Sequence, residues 1–337
     1  MTRKLAALRR MQLALSVLPM ETGATGLNEF QKKISLDKIY VKNEPLVVSR
    51  IEDYDQLKIL TWNIERGINP DALATYINDV KPEIVCLQEV DWGNQRTKNV
   101  DVLNYLARST SMLGFFSVEF FEIQDSFRPK ALAPAGGVHG NAILTRIAPK
   151  RCFRIELPVT FDWVNPPASK QKIVRHEKRK GGRFALCVEF DYFGRSLIIC
   201  SAHFEDKDGG VEGRFAQFQS LTETIRGTQR EEDAIAIIAG DFNTLENWMT
   251  SVTRGYQGST SLGKPWYVSE CRWWREHLLP ESGYSDPFTC KSWTYKRWMI
   301  YREKLDWIVV RNCQVSHQGI GAFNTSDHRP IWAQVRL

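Results

Sequence analysis

No apolar run in the 337 residues approaches the roughly twenty that a membrane-spanning helix needs, so a helix-anchored membrane protein is excluded. There is no Cys-x-x-Cys pair. The seven cysteines lie scattered at positions 86, 152, 187, 200, 271, 290 and 313, with no zinc-finger spacing. The six histidines include no His-Glu-x-x-His helix, and no Gly-x-Ser-x-Gly elbow is present, which counts against zinc-peptidase and serine-hydrolase chemistry. Cys86, Cys187, Cys200 and Cys313 sit in or beside apolar runs, where cysteine behaves as a small hydrophobe, and an odd, unclustered count points to a reducing compartment. Acid does not dominate: lysine plus arginine exceed aspartate plus glutamate by six, a balance compatible with an anionic partner.

What is present is a recurring pattern. The run Ala234-Ile-Ala-Ile-Ile238 leads into Ala239-Gly-Asp-Phe-Asn243, so a buried strand would deliver Asp241 and Asn243 to a sheet rim. Such a tip is either an Asx-turn or half of a site for a cation and a phosphate oxygen. The same syntax recurs at Lys58-Ile-Leu-Thr-Trp-Asn63, Ile84-Val-Cys-Leu-Gln-Glu89, Leu197-Ile-Ile-Cys-Ser-Ala-His203, Leu305-Asp306 and Ser326-Asp-His328. Uncompensated polar groups are costly in a core, so this many polar strand tips imply convergence on one site.

In their order along the chain these pieces, with Gly140-Asn-Ala-Ile-Leu-Thr-Arg146, resemble the endonuclease/exonuclease/phosphatase superfamily of metal-dependent phosphodiesterases and phosphatases. The resemblance implies an α+β fold: a four-layer α/β/β/α sandwich with two facing mixed, largely antiparallel sheets, as in DNase I-like proteins. Residues 51–337 would form the catalytic domain and residues 1–50 an N-terminal extension. Arg3, Lys4, Arg9 and Arg10 precede the apolar stretch 11–20, which reads as a basic amphipathic helix of an intracellular, cytoplasmic protein or as a targeting segment.

The resemblance also implies roles. Glu89 is the expected primary ligand of magnesium, or of manganese in its stead, assisted by Asn63 and Asp327. His328 would act at the phosphoryl group with Asp306 fixing its tautomer; Asp241 would orient water or protonate the leaving oxygen; Asn243 and His203 would hold non-bridging oxygens. Asn141 and Arg214 match family positions near substrate. His139 either lines the cleft or sits on a surface turn. The basic stretch 170–183, including Lys178, Arg179, Lys180 and Arg183, is either a phosphate-neutralising ridge or a solvated charge run. Between Asn243 and Asp306, tryptophans alternate with basic residues, which suits base stacking or a lipid interface. Nucleic acid is therefore the first substrate expectation, an inositol phosphate or lipid head group the second, and a non-catalytic scaffold the third.

Overall fold

Runs rich in Ile, Val and Leu become strands, and the amphipathic stretches between them become covering helices. The computed structural model describes residues 27–43, 48–123, 135–171, 178–229, 231–244, 268–297, 301–322 and 325–337. The N-terminal basic segment, Lys172, Arg175, Trp248, Lys264, Trp266 and Trp298 lie outside them. The described residues form fifteen strands, β1 to β15 in chain order.

One sheet runs β1 (Ile39–Lys42), β4 (Leu113–Glu122), β5 (Val138–Thr145), β3 (Ile84–Trp92), β2 (Gln56–Arg66), β15 (Ile331–Arg336), β14 (Gln314–Ile320), with β7 (Arg179–Gly181) on β4. The other runs β13 (Asp306–Arg311), β10 (Ile235–Asp241), β9 (Arg195–His203), β8 (Phe184–Tyr192), β6 (Arg151–Glu156). A two-stranded ribbon, β11 (Tyr295–Arg297) and β12 (Tyr301–Glu303), stands apart. Only β2 with β3 and β9 with β10 pair in parallel, one such pair in each sheet.

The sheets face each other across a core that includes Ile59, Cys86 and Ile331 from the first and Val188, Ile199, Ile237 and Ile308 from the second. Helices α1 (Pro70–Val80) and α2 (Val102–Thr110) cover the outer face of the first sheet, burying Leu73, Ile77, Leu103 and Leu106. The Asn69 side chain caps α1, Pro70 opens it, and Lys81 in left-handed geometry ends it ahead of Pro82. Helix α3 (Gly210–Thr228) and the helical stretch α4 (270–282), with a π-helical turn at Trp274–Leu278, cover the second sheet. The expected four-layer sandwich is the observed one.

Two features of the fold lie outside the strand-tip pattern. Residues 27–42 lie against the domain: Ile39–Lys42 pair with β4, and the buried Gln31 amide donates to the carbonyls of Glu122 and Gly137. Cys271 and Cys290 form a disulfide with Cα atoms 5.9 Å apart, tying α4 to the loop before β11. Nineteen residues separate them, so no local spacing announces the pair.

Beneath the rim of the second sheet lies an aromatic block. Phe242 stacks on Trp307 with centroids 5.9 Å apart and 8° between planes, while Phe204 and Trp274 close around it. Truncating one such buried ring typically costs about 3–5 kcal/mol, so this block fixes the height at which Asp241 and Asp306 emerge.

Candidate active site

Register places the polar tips side by side. On adjacent strands, Asp241 pairs with His203 on one side and Asp306 on the other. Gly240 permits this closeness, because a Cβ there would lie 1.8 Å from the Ala202 carbonyl oxygen. In the facing sheet, β2 and β3 both bulge after Asn63 and Leu87, and Glu89 adopts φ 57. Gln88, buried below, donates to Thr61 Oγ1 at 3.2 Å and to Ser201 Oγ at 3.0 Å, linking the sheets under the site.

Asp241 is the hub. Its Oδ2 accepts from Asn63 Nδ2 at 3.0 Å and lies 3.7 Å from both His203 Nε2 and His328 Nε2. Its Oδ1 accepts from the Asn243 backbone at 2.9 Å, and Asn243 Nδ2 donates to the Phe204 carbonyl at 3.0 Å. His328 Nδ1 lies 2.8 Å from Asp306 Oδ2. Burial alone would lower the His328 pKa; Asp306, Asp241 and Asp327 outweigh it and hold it well above the ordinary histidine value. Burial raises the Asp241 pKa, His328 opposes this, and Asp306 adds to it.

The loop before β15 is pinned to the first sheet. Ser326 Oγ donates to the Asn63 carbonyl at 2.7 Å and accepts from the His328 backbone at 3.0 Å; Trp62 Nε1 donates to the His328 carbonyl at 3.0 Å. Asp327 is exposed at the rim, its backbone N–H donating to Glu65 Oε2 at 3.0 Å. Glu89 faces Arg66, with Oε2 to Nη1 at 3.2 Å. Burial works to raise the Glu89 pKa, but Arg66 first, then His203, His139 and His328, hold it well below the usual carboxylate range.

Asp241, Asp306 and His328 offer ligand atoms that all lie within 4.8 Å of one another. Asp306 Oδ1 is buried and accepts no hydrogen bond among the described residues, so the carboxylate oxygens of this cluster suit a hard divalent cation. Asn63, Glu89, His203, Asp241, Asn243, Asp306, Asp327 and His328 thus surround one rim.

The expected substrate contacts behave differently. Arg183 is buried, its Nη1 3.2 Å from both Glu119 oxygens and its Nη2 3.3 Å from Glu205 Oε1. Arg179 lies buried against Trp163 and Phe120, its guanidinium carbon 3.5 and 4.4 Å from the ring centroids. Arg214 grips Glu270 at 2.8 and 2.6 Å. His139 is fully buried with Nδ1 2.5 Å from Glu122 Oε1, and Asn141 Nδ2 donates to the Phe184 carbonyl at 3.1 Å. A desolvated guanidinium needs a carboxylate or a ring, and here each has found one inside the protein. Lys178 and Lys180 are half-buried.

Several residues beside the site lacked a strand-tip signal. Glu65 and Arg66 lie in the bulged end of β2, where Arg66 pairs with Val90. Glu119 accepts from Arg183 and lies 3.5 Å from His203 Nδ1, and the lone acid in Phe115-Phe-Ser-Val-Glu-Phe-Phe121 could have been noticed. Thr294 Oγ1 accepts from the Leu305 and Asp306 backbones, and Tyr295 packs 5.0 Å from the His328 ring.

Fold and site together define a metal-dependent hydrolase of phosphate esters. The chain belongs to the endonuclease/exonuclease/phosphatase family, which its sequence matches over residues 60–328. Its fold is similar to that of an endonuclease/exonuclease/phosphatase from Beutenbergia cavernae DSM 12333, with TM-score 0.55, 16% identity, and coverage of 84% of this chain and 72% of that one. D. rerio TDP2 complexed with single strand DNA product gives TM-score 0.52 and 18% identity over 84% of this chain and 100% of that one. A family protein from Leptotrichia buccalis C-1013-b gives 0.51 and 17% over 83% and 100%. No curated protein matches the sequence. Among the described residues, no helix is long and apolar enough to cross a membrane.

Proposed function

We propose that the chain hydrolyses phosphodiester bonds of nucleic acid, using magnesium held by Glu89 with Asn63 and Asp327. The observation that carries the reading is the hub at Asp241, where one carboxylate oxygen meets Asn63, His203 and the Asp306-paired His328. A bound divalent ion supplies neutralisation of charge developing on the phosphoryl oxygens. His328, kept protonated by its acidic neighbours, donates towards a phosphoryl oxygen, and Asp306 holds its ring. Asn63 and His203 keep Asp241 aimed at the same point, where it orients water or carries the leaving group's proton.

Nucleic acid is favoured over a polyphosphorylated head group by where the guanidiniums went. Arg179, Arg183 and Arg214 are buried against protein rings or carboxylates, so none of them serves a cluster of phosphates. Tyr295 lies 5.0 Å from the His328 ring, and two residues before it Trp293 carries Arg302 and Arg329 over its ring at 4.6 and 4.7 Å, an aromatic and cationic composition suited to a single strand. The D. rerio relative described as complexed with single strand DNA product is consistent with that substrate class.

The test is hydrolysis of plasmid, duplex, single-stranded DNA, RNA and inositol polyphosphates, with magnesium or chelator. Magnesium-dependent cleavage of nucleic acid, lost in His328→Ala, is expected. Turnover of an inositol polyphosphate with every nucleic acid intact would overturn the substrate assignment.

A further inference from the structure

Glu89 differs from every other carboxylate at the rim in how it is held. Asp241 and Asp306 each have hydrogen-bond partners, and Glu65 accepts from the Asp327 backbone. Glu89, only one-fifth exposed, has one partner among the described residues: the Arg66 guanidinium at 3.2 Å. Arg66 reaches it from an unusual place. Glu65, Arg66 and Gly67 take φ of 45, 72 and 76° in succession, turning the chain sharply past Asn63, and the Gly67 N–H closes the turn on the Ile64 carbonyl at 2.8 Å. Glu89 itself has φ 57, so both partners stand on backbone that side chains other than glycine seldom adopt.

The rim gathers Glu65, Glu89, Asp241, Asp306 and Asp327, a surplus of acid that a divalent cation would relieve. Arg66 already supplies positive charge where Glu89 would take that cation, and it does so with a long, pivoting side chain only 11% exposed. Two cations that approach one carboxylate in a poorly solvated cleft repel each other strongly.

We propose, resting on the assignment of Glu89 to the metal, that Arg66 is a built-in counter-ion which the divalent cation displaces, and that the freed guanidinium then takes a non-bridging oxygen of the substrate phosphate. Arg66 is thus a positioning residue before metal binds and a substrate-binding residue afterwards. Metal and phosphate then assist each other: phosphate gives Arg66 a second anion, and each ligand raises the other's affinity by the same factor.

Manganese binding, read by electron paramagnetic resonance on the full chain without substrate, tests this independently of activity. Arg66→Ala should bind manganese about tenfold more tightly than the parent, since a competing positive charge is gone, while Arg66→Lys should remain near the parent. Inorganic phosphate should tighten manganese binding in the parent and have little effect in Arg66→Ala. Should that variant fold poorly, Arg66→Met keeps the apolar stem and gives the same readout. Weaker or unchanged manganese binding in the folded variant would overturn the proposal, leaving Arg66 a mere brace for Glu89. Manganese binding unaffected by Glu89→Gln but lost in Asp306→Asn would instead move the metal to the Asp241, Asp306 and His328 cluster and overturn the assignment beneath it.

Discussion

Two buried histidines each lie within 2.8 Å of a carboxylate, yet they are pushed in opposite directions. His328, beside Asp306, is held well above the ordinary histidine pKa. His139, beside Glu122, is depressed to about 3 by complete burial and then by Arg66. The nearest partner therefore does not decide the charge. Around His328 the further neighbours are Asp241 and Asp327, all acids. Around His139 stand Arg66 and Arg179, while Glu122 is already shared with Arg96. One cluster is left with surplus acid; the other has its charges balanced within the protein.

The sharpest way to break this contrast is His328→Ala. Loss of a group moving protons at the reacting centre typically costs about 10²–10⁴-fold, so kcat/KM should fall by about 10³-fold, measured with the preferred substrate. His139→Asn should leave kcat near the parent value and lower the melting temperature instead. Equal loss of kcat in both would erase the distinction. Next in size is Arg96→Met. It takes both charge-assisted hydrogen bonds from Asp91, whose side chain is 0% exposed, and breaking a buried pair from one side costs about 3–5 kcal/mol, checked by urea unfolding.

A smaller effect is expected from Asp306→Asn. Removing the largest contribution to the raised His328 pKa should move the alkaline limb of the pH–rate profile to lower pH while the protein stays folded. The two pH-dependent contributions to stability have opposite signs. The folded His328 pKa lies above the unfolded 6.5, so its contribution is fully present below 6.5 and is lost as pH rises through the folded value. The folded His139 pKa, about 3, lies below 6.5, so its contribution is present above 6.5 and lost as pH falls towards 3. Melting curves of His328→Asn and His139→Asn across this range should differ from the parent at opposite ends. Least of all, Lys180→Ala, half-buried at the edge, should change stability by no more than about 0.5 kcal/mol.

The contrast also marks what could be read from sequence. A polar residue ending an apolar run is a local pattern, so Asn63, Glu89, His203, Asp241 and Asp306 were legible one strand at a time, and their shared rim followed from the family order. Helix α1 is equally local, with Pro70 in its first turn and Leu73 and Ile77 on one face. Arg183 was not: its partner Glu119 is 64 residues away, and a basic run looks the same whether its charges face phosphate or a buried acid. Arg214 and Glu270 are 56 residues apart and equally silent. The bulge at Glu65 and Arg66 is silent because only Gly67 announces left-handed backbone, while two non-glycine residues ahead of it adopt the same geometry.

The pinning of Ser326 to the Asn63 carbonyl spans 263 residues, and β15 threads between β2 and β14 immediately after His328. The same segment therefore supplies both His328 at the rim and, in Ile331, Ala333 and Val335, part of the core between the sheets. The candidate site is therefore complete only when the strand that follows residue 328 lies between β2 and β14.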